Sequence, residues 1–226
     1  PPPPPPPPLF FSTPPPHHEI RSGLVGSEMC IRDSIITNKV DCKSKKALLI
    51  AQKVILDGGI IVYPTDTLYG FGVDARNELA ISKLNQIKGR KSPMSVIMHD
   101  KNMVFSCIDI PKKNHDKIKK YLKGKSTIII KVKSEVVHPD ILGNNKSLGI
   151  RIPDHNFGPS LCKILGFPIT TTSVNRTGDT PLNDPNKIIK AFDGEFDLLI
   201  DDGIMKNSSG STIYKYENSK IKVLRK

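Results

Sequence analysis

The sequence predicts a single α/β (α+β) domain in which helices flank one twisted mixed sheet. Three observations predict this fold class. Beyond residue 34, segments with helical spacing of apolar residues alternate with short β-branched runs, and the later runs follow one another without helices. Residues 35–226 are numerous enough for one domain with a sizeable core. No apolar stretch approaches the roughly 20 residues that a membrane-spanning helix needs.

The first 34 residues are predicted not to belong to this domain. They contain two proline clusters, Pro1–Pro8 and Pro14–Pro16, and they show no apolar period and no capping signal. Residues 22–34 resemble translated sequencing-adapter read-through. We therefore expect a low-complexity, non-native leader over residues 1–34 and one domain over residues 35–226.

Several helices are predicted from apolar spacing and from end signals. The first covers residues 43–56, where Ala47, Ala51 and Ile55 recur at helical spacing. A second covers residues 78–88, with Asn77 as N-cap, Gly89 as the stop, and four inward residues: Leu79, Ile81, Leu84 and Ile87. A very basic helix is predicted over residues 111–122 and a short one over 159–165. The last begins at Pro185 behind the cap Asp184 and ends near Phe192.

Strands are predicted where short β-branched runs are bounded by turn residues. These runs cover residues 60–63, 95–99, 126–132, 147–152, 169–172, 198–201, 211–216 and 221–224. The run over residues 126–132 is expected to be central in the sheet.

Charge and cysteine content narrow the function classes without deciding among them. The net charge is +12, and it resides outside the leader, which carries two Arg and three acidic residues. Such a surface favours nucleic acid or nucleotide phosphates, but a solvated lysine-rich surface is an equally good interpretation. The four cysteines form no C-x-x-C pair, which argues against a zinc site and gives no disulfide framework. A reduced, cytoplasmic protein is the simplest expectation.

The stretch over residues 58–75 is the first candidate for a ligand site. Its apolar run ends at Pro64, and the polar residues Thr65, Asp66 and Thr67 follow, then Gly70 and Gly72. A proline cannot donate to a sheet ladder, so the strand must end there. The alternative interpretation of the polar residues is an ordinary Asx or ST turn.

Three basic residues, at two places in the chain, could bind a ligand. Lys88 and Arg90 lie at the end of a predicted helix, where cations suit the helix terminus but could also bind a phosphate. Arg151 lies inside an apolar strand, and an unpaired buried charge is expensive. Its partner is predicted to be either a ligand carboxylate or a structural Asp.

Polar residues near the ends of later strands are further candidates. Ser173 and Asn175 follow the threonine-rich run at 170–172, at a strand end where α/β folds collect ligands. Ser211 precedes a strand and Arg225 follows the last one. His99 could contact a ligand, although a satisfied histidine at a strand edge is the commoner outcome.

Five motifs, in order along the chain, resemble the YrdC/TsaC family of threonylcarbamoyl-AMP synthases, in its short single-domain form with a YrdC/RibB-like fold. The motifs are Tyr63–Gly72, Lys88–Arg90, Gly149–His155, Ser173–Gly178 and Gly210–Thr212. The resemblance covers roughly residues 47–225. Any one motif is weak, but five in order are highly specific.

The resemblance implies an ATP-dependent nucleotidyltransferase, L-threonylcarbamoyladenylate synthase. It would join L-threonine, bicarbonate and ATP into threonylcarbamoyl-AMP and release pyrophosphate. A partner enzyme would then transfer the threonylcarbamoyl group to the tRNA adenosine next to the anticodon. Mg²⁺ would be held mainly through the ATP phosphates, with no dedicated protein metal site, and Gly70 and Gly72 would let the chain pass closely beneath the substrates.

The resemblance also assigns residues by position. It implies an L-threonine site of Thr67, His99, Arg151, Ser173 and Ser211. It implies an ATP site of Lys88, Arg90, Ser147, Asn175, Asn183 and Arg225. Lys88 and Arg90 would be catalytic, by neutralising charge on the phosphates.

The chain departs from the family pattern at two places that matter. Lys123-Gly124-Lys125 stands where the family usually has Pro-Gly-Pro, and Met94 stands where it often has Asn. The principal alternative is a non-catalytic protein of the same fold that binds double-stranded RNA or ribosomes through its basic surface. Weak RNA contact by the synthase itself is also expected. A carbamoyl-transfer domain of the hydrogenase-maturation type is disfavoured, because its appended modules are missing.

Overall fold

The computed structural model describes residues 38–89, 91, 93–206 and 208–226. The predicted leader therefore lies outside the described residues, and its boundary at residue 34 stays a prediction. Within the described part no helix is long and apolar enough to cross a membrane. The helices are α1 (Ala47–Leu56), α2 (Glu78–Lys88), α3 (Lys101–Cys107), α4 (His115–Lys119), α5 (Phe157–Leu165) and α6 (Pro185–Phe192).

The described strands form one mixed sheet. They are β1 (Asn38–Asp41), β2 (Ile61–Tyr63), β3 (Gly70–Gly72), β4 (Ser95–Ile97), β5 (Ser126–Lys131), β6 (Ser147–Arg151), β7 (Ile169–Ser173), β8 (Leu198–Asp201), β9 (Thr212–Glu217) and β10 (Lys220–Arg225). Their spatial order is β1-β8-β2-β3-β7-β4-β6-β5-β9-β10. Parallel pairs join β1 to β8, β8 to β2, β4 to β6 and β5 to β9, and the other neighbours are antiparallel. The predicted mixed sheet is confirmed.

Apolar side chains cover both faces of this sheet. A larger cluster packs α2 and α6 against one face, with Phe71, Leu84 and Phe192 among its members. A smaller cluster packs α1 and α5 against the other face, around Tyr63 and Phe157. Because both faces are covered, all of β2 is buried, as its continuous β-branched run predicts.

The local end signals are confirmed where the chain has a short polar cap. The Asn77 side chain accepts a hydrogen bond from Ala80 N at 3.1 Å, and Gly89 ends α2 in the left-handed region with φ 67°. The Asp184 side chain accepts from Asn186 N at 2.9 Å, with Pro185 in the first turn of α6. Each signal acts on backbone groups within three residues, so sequence alone suffices to find it.

Other predictions about elements are wrong or incomplete. Leu79 is 74% exposed rather than inward. The predicted basic helix is only a 3-10 turn, Lys112–Asn114, followed by the five residues of α4. The strand over residues 126–132 lies third from the β10 end rather than centrally. Strands β1 and β3 and helix α3 were not predicted. Each is short, and its conformation depends on contacts with neighbouring elements rather than on a local sequence pattern.

The buried ring of Tyr63 leaves no room for a side chain at position 72. A Cβ at position 72 would lie 2.7 Å from Tyr63 Cε1. The Tyr63 ring is fully buried, and its hydroxyl donates to Thr170 O at 3.0 Å. Packing inside the sheet, rather than close passage beneath a substrate, therefore accounts for this glycine, and the expectation for Gly72 is corrected.

We expect Gly72→Ala to lower the free energy of unfolding by about 1–3 kcal/mol, because the buried ring cannot yield without strain. Urea denaturation measures the loss. Gly70→Ala is the control in the same strand, since a Cβ there would first meet Thr171 Oγ1, at 3.3 Å. Equal losses in the two variants would contradict the steric explanation.

Candidate active site

The candidate site begins at the loop that follows β2. Thr65 Oγ1 donates to Leu68 O at 2.7 Å and accepts from the backbone N–H groups of Thr67 and Leu68 at 3.2 Å. This is the ST turn that the sequence left open as an alternative. Thr65 supplies the side chain that forms this turn. Both interpretations therefore hold, because the turn positions the next two side chains, Asp66 and Thr67.

Asp66 holds three segments of the chain together. Its Oδ1 accepts from Arg151 Nη2 at 2.6 Å. Its Oδ2 accepts from Lys125 N at 2.6 Å and from Asp154 N at 3.0 Å. The side chain is only 4% exposed, so the carboxylate exchanges water for charge-assisted hydrogen bonds. The loop after β2, the entry to β5 and the loop after β6 converge on it.

Arg151 is buried and only partly satisfied. Besides Asp66, its Nη2 donates to Thr67 Oγ1 at 3.2 Å. Its Nε is buried without a hydrogen-bond partner among the described residues. Burial lowers the pKa of the guanidinium, and Asp66 opposes that shift. A buried donor without a partner is uncommon in a folded protein, so an acceptor from a ligand would complete this environment.

A cleft of about 340 Å³ lies beside Arg151. Its lining includes Thr67, Ser173, Ser211 and Arg225, which the sequence analysis had assigned to the site. The described lining residues offer hydroxyls and two arginines but no carboxylate. Such a lining suits a small anionic or zwitterionic ligand.

The far wall of this cleft comes from the last strands. The hydroxyls of Ser211 and Thr127 lie 2.7 Å apart, and Arg225 Nη2 donates to Ser211 O at 2.9 Å. A Cβ on Gly210, whose φ is 86°, would lie 3.1 Å from Arg225 Nη2. The glycine therefore gives Arg225 its place at the mouth of the cleft.

Lys88 stabilises the wall behind Ser173. Its Nζ donates to Ser173 O at 2.7 Å, to Asn175 O at 2.5 Å and to Asn175 Oδ1 at 3.0 Å. Ser173 Oγ donates to Asn175 Oδ1 at 2.5 Å. The ammonium is buried and does not line the cleft. It therefore positions the loop after β7 and brings positive charge behind it.

Asn183 and His99 do not line this cleft. Asn183 Oδ1 accepts from Tyr69 N at 3.3 Å. The His99 ring contacts Met103 Sδ at 3.0 Å and Asp100 at 3.3 Å, and it does not line the cleft. Arg90 lies outside the described residues. The roles assigned to these residues stay predictions.

A second cleft, of about 790 Å³, adjoins the first. Ser147 lines it, and Pro93, Met94, Ser95 and Ile213 line both clefts. Met94 is buried and lies on their shared border. The substitution of Met for the family's Asn therefore replaces a polar side chain with an apolar one between the two spaces.

Sequence analysis missed Asp66, Thr127, Ser95 and Thr171 as parts of the site. The last three line the cleft, and the pairing of Ser95 with both Gly149 and Thr171 brings their strands together. A signal was present in the small polar residues within apolar strands. Only the pairing of the strands shows that they face the same space.

The lysines that replace the family's prolines have a structural role. Lys125 adopts φ 55° and donates its N–H to Asp66. Proline has no N–H and is restricted to φ near −65°, so this turn cannot accommodate proline at position 125. Gly124 completes the turn, because a Cβ there would lie 2.6 Å from the Cβ of Asp154. Lys125, in place of the family's proline, therefore goes with a turn that proline could not form.

Comparison with known proteins gives the family. The Sua5/YciO/YrdC family model, whose description is "Telomere recombination", matches residues 53–226. The chain belongs to this family. The resemblance predicted from the five motifs is thus confirmed.

Relatives within the Sua5/YciO/YrdC family carry related names. A Methanocaldococcus jannaschii protein named provisionally as a threonylcarbamoyl-AMP synthase is 39% identical over 186 residues, covering 80% of this chain and 86% of that protein. The Bacillus subtilis threonylcarbamoyl-AMP synthase is 27% identical over 177 residues, covering 76% of this chain and 49% of its own length. This chain thus spans about half of the Bacillus relative.

A solved structure of the family confirms the fold class. P. abyssi Sua5 complexed with L-threonine matches with a TM-score of 0.74 and 25% identity. The match covers 84% of this chain and 57% of that one.

We expect Lys125→Pro to lower the free energy of unfolding by about 3 kcal/mol or more, because it removes the hydrogen bond to Asp66 and forces a different φ. Urea denaturation of the purified variant measures the loss. Lys123→Pro is the matched control, since Lys123 does not adopt a positive φ. If Lys125→Pro were no more harmful than the control, the turn would not require an N–H at position 125.

Proposed function

We propose that the protein is an L-threonylcarbamoyladenylate synthase. It joins L-threonine, bicarbonate and ATP into threonylcarbamoyl-AMP and releases pyrophosphate. A partner enzyme then transfers the threonylcarbamoyl group to the tRNA adenosine next to the anticodon, in the cytoplasm. The observation that carries this function is Arg151, a buried cation with a free Nε donor beside a cleft lined by hydroxyls.

In this function the first cleft receives the amino acid. Nη2 of Arg151 is already bound to Asp66 and Thr67, so the threonine carboxylate would bind through the remaining guanidinium donors, Nη1 and Nε. The hydroxyls of Thr67, Ser173 and Ser211 suit a zwitterion and its carbamate, because a hydroxyl can either donate or accept. The names of the curated synthase relatives and the threonine complex of P. abyssi Sua5 support this assignment.

The adjoining cleft is the proposed place of ATP. It is larger, and its shared border with the first cleft would bring the α-phosphate toward the amino acid. Ser147 lies on its wall, and Arg225 lies on the first cleft near the border residue Ile213. Lys88, Arg90, Asn175 and Asn183 would add positive charge and amide groups around the phosphates.

The reaction needs positioning more than a protein base. The amine of threonine adds to bicarbonate with loss of water, and a carbamate oxygen then attacks the α-phosphorus of ATP as pyrophosphate leaves. Holding both substrates in line can account for a large part of such a barrier. Arg151 fixes the carboxylate end, and Ser173 and Ser211 orient the carbamate toward the second cleft.

We expect Mg²⁺ to bind mainly through the ATP phosphates, since Glu217 is the one carboxylate among the described residues that line the two clefts. The described residues that line the first cleft include no carboxylate, whereas Mg²⁺ commonly keeps several waters and binds phosphate oxygens. When bound, it would neutralise charge on the phosphates. The RNA-binding alternative gains no support from the curated relatives, which are named as synthases.

Omitting each substrate in turn tests the overall reaction. We expect pyrophosphate release to require ATP, L-threonine and bicarbonate together, because the attacking group is the carbamate of threonine. A coupled pyrophosphate assay measures it. Release without threonine would indicate plain ATP hydrolysis, and no release together with retention of double-stranded RNA would favour the alternative.

Variants of Arg151 and of the pair Lys88 and Arg90 should separate threonine binding from catalytic turnover. We expect Arg151→Ala to abolish threonine binding while it spares ATP binding, as measured by calorimetry. Because Arg151→Ala leaves Asp66 unpaired, Arg151→Lys serves as the variant that keeps a buried cation. Lys88→Ala combined with Arg90→Ala should instead lower turnover. Equal loss of both ligands in Arg151→Lys, or unchanged pyrophosphate release in the double variant, would contradict the assigned roles.

A further inference from the structure

Three potential metal ligands from distant parts of the sequence meet outside the catalytic clefts. Cys42 directly follows β1, and Asp202 directly follows β8. These strands are parallel neighbours, with Asp41 opposite Asp201, so the two residues emerge side by side. His155 comes from the loop between β6 and α5.

The distances suit a small metal ion. One ligand atom from each of Cys42, His155 and Asp202 lies within 4.8 Å of the others. His155 Nε2 and Asp202 Oδ2 are 3.3 Å apart. Bonds of about 2.0–2.1 Å at a tetrahedral zinc ion place two such atoms about 3.3 Å apart.

The kinds of donor atom indicate which metal would bind. A thiolate, an imidazole and a carboxylate suit Zn²⁺, which is borderline in softness, whereas Mg²⁺ prefers oxygen ligands alone. Three protein ligands leave a fourth position for water. The adjacent surface cavity is lined by Cys42 and His155 together with Ser44, Lys45, Asp154 and Phe157, and none of these lines the substrate cleft.

Carboxylates lie near the Cys42 thiol although the chain as a whole is basic. Those of Asp41, Asp201 and Asp202 act on it, and Lys43 opposes them. Asp201 is also paired with Lys39, at 2.7 Å.

The ligand loops are already held in place by the rest of the fold. Asp202 N donates to the Tyr69 hydroxyl at 2.8 Å, and Cys42 N donates to Asp201 O at 2.8 Å. Phe157 N donates to His155 Nδ1 at 3.3 Å. Binding a metal through Nε2 would put the ring proton on Nδ1, so this long hydrogen bond would be lost and the ring would turn slightly.

We propose that Cys42, His155 and Asp202 form a zinc site that clips the ends of β1 and β8 to the loop after β6. The loop after β6 also carries Asp154, whose N–H binds Asp66, and Tyr69 ties the Asp202 backbone to the loop after β2. The zinc ion would therefore brace, from outside, the two loops that position Arg151 and Thr67. The ion would hold these loops in place, and its binding does not depend on the synthase activity.

Cobalt binding to the full-length chain tests this site. Co²⁺ bound to a thiolate gives a near-ultraviolet charge-transfer absorption that oxygen and nitrogen ligands do not give. We expect one equivalent of Co²⁺ to produce it and one equivalent of Zn²⁺ to abolish it, while excess Mg²⁺ has no effect. Zn²⁺ should also raise the melting temperature of the protein.

Variants identify the ligands. Cys42→Ser should lose the absorption and the stabilisation by Zn²⁺, and the matched control Cys107→Ser, another half-buried free cysteine, should keep both. Asp202→Asn, a change at an exposed residue, should weaken Zn²⁺ binding by more than the roughly 10–100-fold that loss of an outer-shell partner causes. Pyrophosphate release by the metal-free parent protein is measured in parallel, so that failure of the synthase activity is distinguished from failure of the zinc site.

Three results would overturn the zinc site. The parent protein could show no charge-transfer absorption with Co²⁺. The absorption could persist in Cys42→Ser, which would indicate a thiolate ligand elsewhere in the chain, such as Cys30. Cys107→Ser could lose binding as fully as Cys42→Ser does.

Discussion

The ion pair between Asp66 and Arg151 is the interaction on which the described site depends. Both side chains are almost fully withdrawn from water, with 4% and 9% exposure. Removing one partner of such a buried pair typically costs about 3–5 kcal/mol, because the other charge is left uncompensated. Asp66 avoids that penalty through Arg151 and two backbone N–H groups. With Nη2 bound to Asp66 and Thr67, Nε of Arg151 is left without a partner among the described residues.

This dependence explains why the turn before β5 can depart from the family motif. What Asp66 needs there is a backbone N–H, and Lys125 supplies it at φ 55°. Lys125 thus holds this turn through a backbone hydrogen bond that a proline could not donate. Gly124 is part of the exchange, since a Cβ would meet both Asp154 and Asp66.

Charge is distributed unevenly around this centre. Arg151 and Arg225 lie on the cleft, and Lys88 lies behind it, bound to the carbonyl oxygens of Ser173 and Asn175. Carboxylates collect instead at the ends of β1 and β8, near Cys42. The arginines at the cleft and the carboxylates near Cys42 therefore lie at different places in the described domain. The loops after β2 and β6 are joined by the hydrogen bond from Asp154 N to Asp66 Oδ2.

The sequence alone determined the family and the mixed sheet. It also predicted five of the residues that line the cleft: Thr67, Arg151, Ser173, Ser211 and Arg225. Caps such as Asn77 and Asp184 and the strand end at Pro64 were predictable because each acts within a few residues of itself. Thr67, Ser173 and Ser211 were found through short motifs that can be recognised in the sequence without knowledge of the fold.

Only the tertiary structure decided which of these residues meet. It identified Asp66, 85 residues away, as the partner of Arg151, where the sequence allowed either an Asp or a ligand carboxylate. It turned Leu79 outward, explained Gly72 through Tyr63, and brought Cys42, His155 and Asp202 together without any recognisable spacing. The physical reason is the same throughout: strand order and side-chain packing are set by contacts between residues far apart in the chain, and no local pattern encodes them.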